Sequence, residues 1–278
     1  MAVFLSLLTA ALFGTGDFCG GLAAKRTSVV QVVLGSHLVG LVGVFIASLV
    51  MAERFLLGDL VLGMVGGAFG AMGVGLLYRG LARGPMGVVA PLTAMTSAAA
   101  PAAWGVGFGD ELSGWAWVGI VLAVLAIGLV SSTSSAPSSP VTGQVIVEAL
   151  MSGVGFGAFF IVIDATDAAS APWPVVGARL LTTVGIGFFV LVTAGPGGVQ
   201  WGGATPLIAL TGVFDTGSNV LFLYATHEGL LSVVAVLSSL YPITTVMLAR
   251  LVLNERLTRL QLWGFLAAMA ATVLIAAG

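Results

Sequence analysis

Long apolar runs succeed one another along almost the whole chain, separated by short polar breaks, and no other feature limits the fold so severely. Crossing the hydrocarbon of a bilayer takes roughly 20 apolar residues as a helix, or 9 to 11 alternating residues as a barrel strand. The runs here are continuous, so they read as helices. Ten spans are expected, at about residues 3–23, 29–51, 58–78, 85–107, 113–132, 143–163, 174–194, 205–225, 230–253 and 258–277. Composition agrees: 59% of residues are hydrophobic, 7% are charged and the mean hydropathy is +1.15. Soluble domains average roughly 45–50% apolar and 25% charged residues. The expected class is an all-α integral membrane protein. The first run is not preceded by a basic segment and similar runs follow it, so it is expected to be retained as a span and not removed as a signal.

Charge collects in the breaks: Lys25-Arg26, Glu53-Arg54, Arg79 and Arg83, Asp110-Glu111, Asp164 and Asp167, Glu228, and Asn254-Glu255-Arg256 with Arg259. A net charge of -2 with dispersed Lys and Arg provides no basic field for nucleic acid. Cys19 is the single cysteine, which excludes an intramolecular disulfide and a cysteine-built metal centre. No cofactor or metal is expected.

Near the midpoint the tract Ser131-Ser132-Thr133-Ser134-Ser135-Ala136-Pro137-Ser138-Ser139-Pro140 has nothing to bury and reads as a linker. Five spans lie on each side, and the halves align. "LYRGLARGPMGVVAPLT" from Leu77 matches "LYATHEGLLSVVAVLSS" from Leu223, placing Tyr78 over Tyr224 and Gly84 over Gly229. "GDELSGWAWVG" runs with "LNERLTRLQLWG", placing Glu111 over Glu255 and Gly119 over Gly264. An odd number of spans per half means that the second half inserts upside down relative to the first. Inverted repeats of this kind place a substrate site near the bilayer midplane, at the interface between the repeats. The expected organisation is a first repeat over 1–132, a linker over 133–142 and a second, inverted repeat over 143–278, around a central cavity.

The stretches "ATHEGLLSVVA" from Ala225, "SSLYPITTV" from Ser238 and "LVLNERLTRLQLWG" from Leu251, followed by a last span of small residues, resemble the EamA type of the drug/metabolite transporter superfamily. In the first half, "GDELSGWAWVG" keeps the acid and the glycine of that pattern but lacks the arginine. The resemblance implies a ten-helix exporter or permease of small organic solutes, its cavity lined by the first four helices of each half.

An ionisable group inside a span costs about 2.5 to 3.5 kcal/mol on insertion scales and marks a functional site by default. Asp17 lies halfway along the first span in "GTGDFCGG", with glycines at 14, 20 and 21 on its helical face. Those glycines either leave a gap around the acid or let neighbouring helices approach, as the Gly63/Gly67 and Gly66/Gly70 pairs of the third span also would. Asp215 in "TGVFDTGSNV" is the second deep acid, on a polar stripe with Thr211, Gly212, Ser218 and Asn219. "VVLGSHL" and "PVVGARL" align Gly35 with Gly177 and His37 with Arg179. Arg179 stays charged and should pair with Asp17, Asp215 or an anionic substrate group; His37 is either a titrating group or a hydrogen-bonded structural one. Tyr78 and Tyr224 end equivalent spans as interface anchors or gates. Pro91 and Pro101 in the fourth span and Pro242 in the ninth would loosen those helices, as hinges or as polar cavity wall.

The substrate-binding candidates are thus Asp17, His37, Tyr78, Arg179, Asp215, Asn219 and Tyr224, with Asp17 and Asp215 as candidates for proton coupling. The expected function is secondary transport, by alternating access, of a small amino-acid-like or amphiphilic metabolite, with efflux as the expected direction. "GTGD" also fits the Gly-x-Gly-Asp of intramembrane aspartyl proteases, with Asp17 and Asp215 sharing a proton. That family resemblance fails where a Tyr-Asp helix should precede the motif, so no enzyme is expected; a channel is the third reading. The expected surroundings are the lipid bilayer of a bacterial cytoplasmic membrane, as monomer or homodimer. Of the basic residues, Arg54 lies in loops on the N-terminal side and Lys25, Arg26, Arg79, Arg83, Arg256 and Arg259 in loops on the other. The positive-inside rule then puts both termini outside the cytoplasm, whereas the family resemblance implies cytoplasmic termini.

Overall fold

The computed structural model describes residues 1–84, 86–130, 142–195, 198, 202–253 and 258–277. Among them there is no strand. The helices are α1 (Ala2–Ala24), α2 (Val29–Met51), α3 (Leu57–Arg83), α4 (Met86–Phe108), α5 (Gly114–Val130), α6 (Gly143–Asp164), α7 (Trp173–Ala194), α8 (Thr205–His227), α9 (Leu231–Ser238), α10 (Tyr241–Leu253) and α11 (Arg259–Ala277), with a 3₁₀ turn at Ala168–Ser170 before α7. Seven helical segments among the described residues are long and apolar enough to cross a membrane: Ala2–Ala24, Val29–Met51, Leu57–Arg83, Gly143–Asp164, Trp173–Ala194, Thr205–His227 and Leu231–Val252, the last joining α9 and α10. The protein is an all-helical, multi-pass membrane protein. The Ser/Pro tract and the Asn254-Glu255-Arg256 motif lie outside the described residues.

Helix ends follow local chemistry. The Ser28 hydroxyl caps α2 by accepting from the Gln31 N–H, and the Thr142 hydroxyl caps α6 by accepting from the Val145 N–H, each at 3.3 Å. Two boundaries differ from the sequence expectation. α3 runs on to Arg83 instead of stopping near residue 78, because Arg79 and Arg83, one turn apart, both reach Glu148 of α6 and so gain a partner by staying helical. The ninth span is divided at Ser239–Leu240, with Pro242 as the second residue of α10. Proline supplies no N–H to the helix before it, so α9 stops there. Pro91 and Pro101, by contrast, lie within an uninterrupted α4.

Contacts between the halves come in matched sets. α1 packs on α8 as α6 packs on α3; α2 packs on α8 as α7 packs on α3; α4 packs on α6 as α9 and α10 pack on α1. The equivalent pairs α2–α7 and α5–α11 meet each other. Between helices in lipid, association depends on close packing more than on the hydrophobic effect, so small residues occupy the seams. A Cβ on Gly67 of α3 would lie 2.5 Å from the Ala178 Cα of α7, and one on Gly177 of α7 would overlap the Leu60 carbonyl oxygen. The glycines of α1 serve the same purpose. A Cβ at Gly14 would overlap the Tyr241 carbonyl oxygen, at Gly16 it would lie 3.2 Å from the Asp215 nitrogen, and at Gly20 it would lie 2.5 Å from the Tyr78 ring. Of the two readings of "GTGDFCGG", close approach is what these three glycines provide.

Candidate functional site

The helix contacts bring polar residues from both halves to one place. Asp17 comes from α1, His37 from α2, Tyr78 from α3, Arg179 from α7, and Asp215 and Asn219 from α8. Each is more than nine-tenths buried. Sequence reasoning left two acids open as partners of Arg179, and the partner is Asp215: Nη2 donates to Oδ2 at 2.6 Å. The same guanidinium donates from Nε to the Thr216 hydroxyl at 3.1 Å and from Nη1 to His37 Nε2 at 3.1 Å.

The last contact determines the histidine. A guanidinium only donates, so His37 Nε2 is the acceptor and the ring proton sits on Nδ1. Nδ1 lies 2.7 Å from the Thr182 hydroxyl, which in turn donates to the carbonyls of Ala178 and Arg179 at 3.0 and 3.2 Å. The imidazole is therefore neutral and held at both nitrogens. His37 and Arg179, aligned only by the internal repeat, are in direct contact because α2 and α7 cross at equivalent positions.

Asp215 is held from its own helix as well. The Asn219 amide donates to the Asp215 carbonyl at 2.6 Å and to Oδ1 at 3.4 Å, and the Ser218 hydroxyl donates to the same carbonyl at 2.6 Å. Asp17 differs. Asp215 is its charged neighbour, yet among the described residues no hydrogen bond or ion pair reaches the Asp17 carboxylate.

Tyr78 is buried with its ring against Gly20, one turn beyond Asp17 on α1. Tyr224 stands apart from the cluster, donating from its hydroxyl to the Ala171 carbonyl at 3.3 Å. Sequence reasoning missed Thr182 and Thr216. Both could have been suspected: Thr182 is one turn beyond Arg179, and Thr216 follows Asp215. It also missed an aromatic wall. Phe13, one turn before Asp17, has its ring centroid 6.0 Å from Phe160 and 6.2 Å from Tyr241, and Phe160 stacks on Phe222 at 4.1 Å.

A second ionic cluster lies between α3 and α6. Glu148 Oε1 accepts from Arg79 Nε at 2.9 Å, Arg83 Nη1 at 3.3 Å and Gln144 Nε2 at 3.0 Å. Elsewhere Asp59, at the start of α3, accepts from the Asp167 N–H at 3.0 Å and the Ser170 hydroxyl at 2.5 Å, fastening the turn before α7. Among the described residues no three of His, Cys, Asp and Glu are grouped so as to hold a metal ion.

Residues 144–277 match the model of the EamA-like transporter family. A solved structure described only as a crystal structure of a protein is 16% identical, with a TM-score of 0.68 over 96% of this chain and 95% of that one, a likeness of fold that takes in both halves. No curated protein matches the chain. Residues 144–277, the second half of the chain, thus carry the pattern of the EamA-like transporter family, a membrane-transporter family of the drug/metabolite transporter superfamily.

Proposed function

We propose that the protein is a secondary transporter built of ten spans in two inverted repeats, which exports a small amphiphilic or amino-acid-like metabolite across a bacterial cytoplasmic membrane by alternating access. One observation carries this reading: Asp17, His37 and Tyr78 of the first half and Arg179, Asp215 and Asn219 of the second converge in a single buried cluster. The matched helix contacts between the halves support an arrangement in which one half rocks against the other around that cluster. Proton coupling through Asp17 belongs to the same proposal, since of the two acids in the cluster Asp215 is the one paired with Arg179.

The proteolytic reading is weaker. Two carboxylates that share a proton must hydrogen-bond to each other, and Asp215 Oδ2 is bonded to Arg179 instead. The decisive experiment separates a carrier from a channel without a known substrate. Proteoliposomes are loaded with an unlabelled cell extract and placed in the same extract uniformly labelled with carbon-13, and trapped solutes are read by mass spectrometry. A carrier exchanges at least one labelled solute faster when the unlabelled pool is inside, and Asp215→Asn abolishes that stimulation. Movement without stimulation from the inner pool would indicate a channel, and no movement above empty vesicles would end the transport reading.

A further inference from the structure

Where the end of α3 meets the start of α6, positive charge exceeds negative. Arg79 and Arg83 share one carboxylate, and a single oxygen of it: Glu148 Oε1 accepts from Arg79 Nε at 2.9 Å and from Arg83 Nη1 at 3.3 Å. Among the described residues no other carboxylate meets either guanidinium, and the segment that leads into Thr142, residues 131–141, contains no acid. Glu148 itself is buried, with Oε2 sealed from solvent. The two arginines, half exposed, line a cavity of about 390 Å³ together with Thr142, Gln144 and Val145. The opening turn of α6, positive through its unpaired N–H groups, adds to the same field. Just inside the cavity α6 turns Ile146, Val147, Leu150 and Met151 outward, each 38% to 58% exposed, as one apolar strip facing the lipid. The second half has no counterpart, because the alignment of the halves puts Ala225 over Arg79. The basic pair therefore serves one side of the membrane and not the alternation that the halves share.

A guanidinium fork matches phosphate oxygens in geometry as well as in charge, and basic pockets between spanning helices hold acidic headgroups. A soluble anion would satisfy the arginines and leave the apolar strip unused, whereas a lipid phosphate lays its chains along it. A choline or ethanolamine nitrogen would add a cation where the one carboxylate is already shut away. We infer that the cavity between α3 and α6 binds the phosphate of an anionic phospholipid, with Arg79 and Arg83 on its oxygens and an acyl chain along Ile146, Val147, Leu150 and Met151. The site stands apart from the central cluster and does not depend on which solute is carried.

Delipidated protein in detergent is titrated with palmitoyl-oleoyl phosphatidylglycerol, with phosphatidylcholine of the same chains and with glycerol 1-phosphate, and bound lipid is counted by native mass spectrometry. Phosphatidylglycerol should bind about ten-fold more tightly than phosphatidylcholine, and glycerol phosphate at equal concentration should not displace it. Arg79→Gln with Arg83→Gln should remove that preference, while Arg26→Gln, a change on the same side of the membrane but at a different cavity, should keep it. On the unaltered protein, phosphatidylglycerol with a diazirine near the carboxyl end of one chain should label the peptide that contains residues 146–151. The inference is overturned if the double variant binds phosphatidylglycerol as the parent does, or if Arg26→Gln weakens binding as much, which would mean a diffuse basic field. Displacement by glycerol phosphate, the mark of a soluble anion, or a label outside α3 and α6 would overturn it equally. Folding of each variant is read from the protection of the buried Cys19.

Discussion

Removing one member of the Arg179–Asp215 pair should cost far more than removing both. Their contact is 2.6 Å long, and the side chains keep only 8% and 12% of their surfaces. At an effective dielectric of about 20, unit charges 4 Å apart attract by about 4 kcal/mol, and taking each charge from water consumes most of that gain. A deleted partner therefore exposes the desolvation cost of the other, typically about 3–5 kcal/mol, whereas replacing both is close to neutral. The surroundings make the two single changes unequal. Asp215→Asn leaves the Arg179 guanidinium with Asp17 as an alternative counter-charge in the same cluster, whereas Arg179→Gln leaves two neighbouring carboxylates with no cation. We expect Arg179→Gln to cost about 5 kcal/mol, Asp215→Asn about 3 kcal/mol, and the double variant less than either. At about 2 °C per kcal/mol for a chain of this size, the single variants should melt roughly 10 °C and 6 °C lower. The melt is read in detergent by a thiol-reactive dye that labels Cys19 on unfolding, all variants at one scan rate because unfolding of such proteins is often irreversible. Single shifts within about 2 °C of the parent, or a double variant that loses the sum of the two, would refute this account of the pair.

Gly67→Ala places a methyl group 2.5 Å from the Ala178 Cα, where backbone must move, so it should destabilise by about 1–3 kcal/mol; Gly185→Ala, with nothing within 4 Å, should melt like the parent in the same assay. Equal melting temperatures for the two would show that the α3–α7 seam is looser than described. Glu148→Gln removes the anchor of Arg79 and Arg83, whose side chains are about half exposed at 47% and 51%, so the loss should be about 1 kcal/mol and should shrink as salt is raised. A loss above about 3 kcal/mol, or one independent of salt, would mean that the cluster is sealed from solvent.

How far the sequence could be read depends on the range of each signal. Hydropathy and spacing act along one helix, so run length alone foretold apolar helices, and the polar stripe holding Asp215, Ser218 and Asn219 followed from a separation of three and four residues. The need of Arg179 for an acid followed from the cost of a bare charge in lipid. Glycine pairs such as Gly63 and Gly67 foretold close seams, because only a missing side chain lets two backbones touch. The ninth span reads as one run loosened at Pro242, since a hydropathy window averages across Ser239 and Leu240; that the loosening is a full break, while Pro91 and Pro101 leave α4 continuous, came from the structure.

What crosses from helix to helix was decided by the tertiary structure alone. Depth and rotation of each helix determined that Asp215 and not Asp17 meets Arg179, that His37 accepts from that arginine and is thereby neutral, and that Glu148 draws α3 on to Arg83. These are contacts between residues 36 to 142 positions apart, and no periodicity along a single helix carries them. The sequence alone determined that charges lie within the membrane and must be satisfied; packing determined which partner each one meets, because only the crossing of helices brings Asp215 to Arg179.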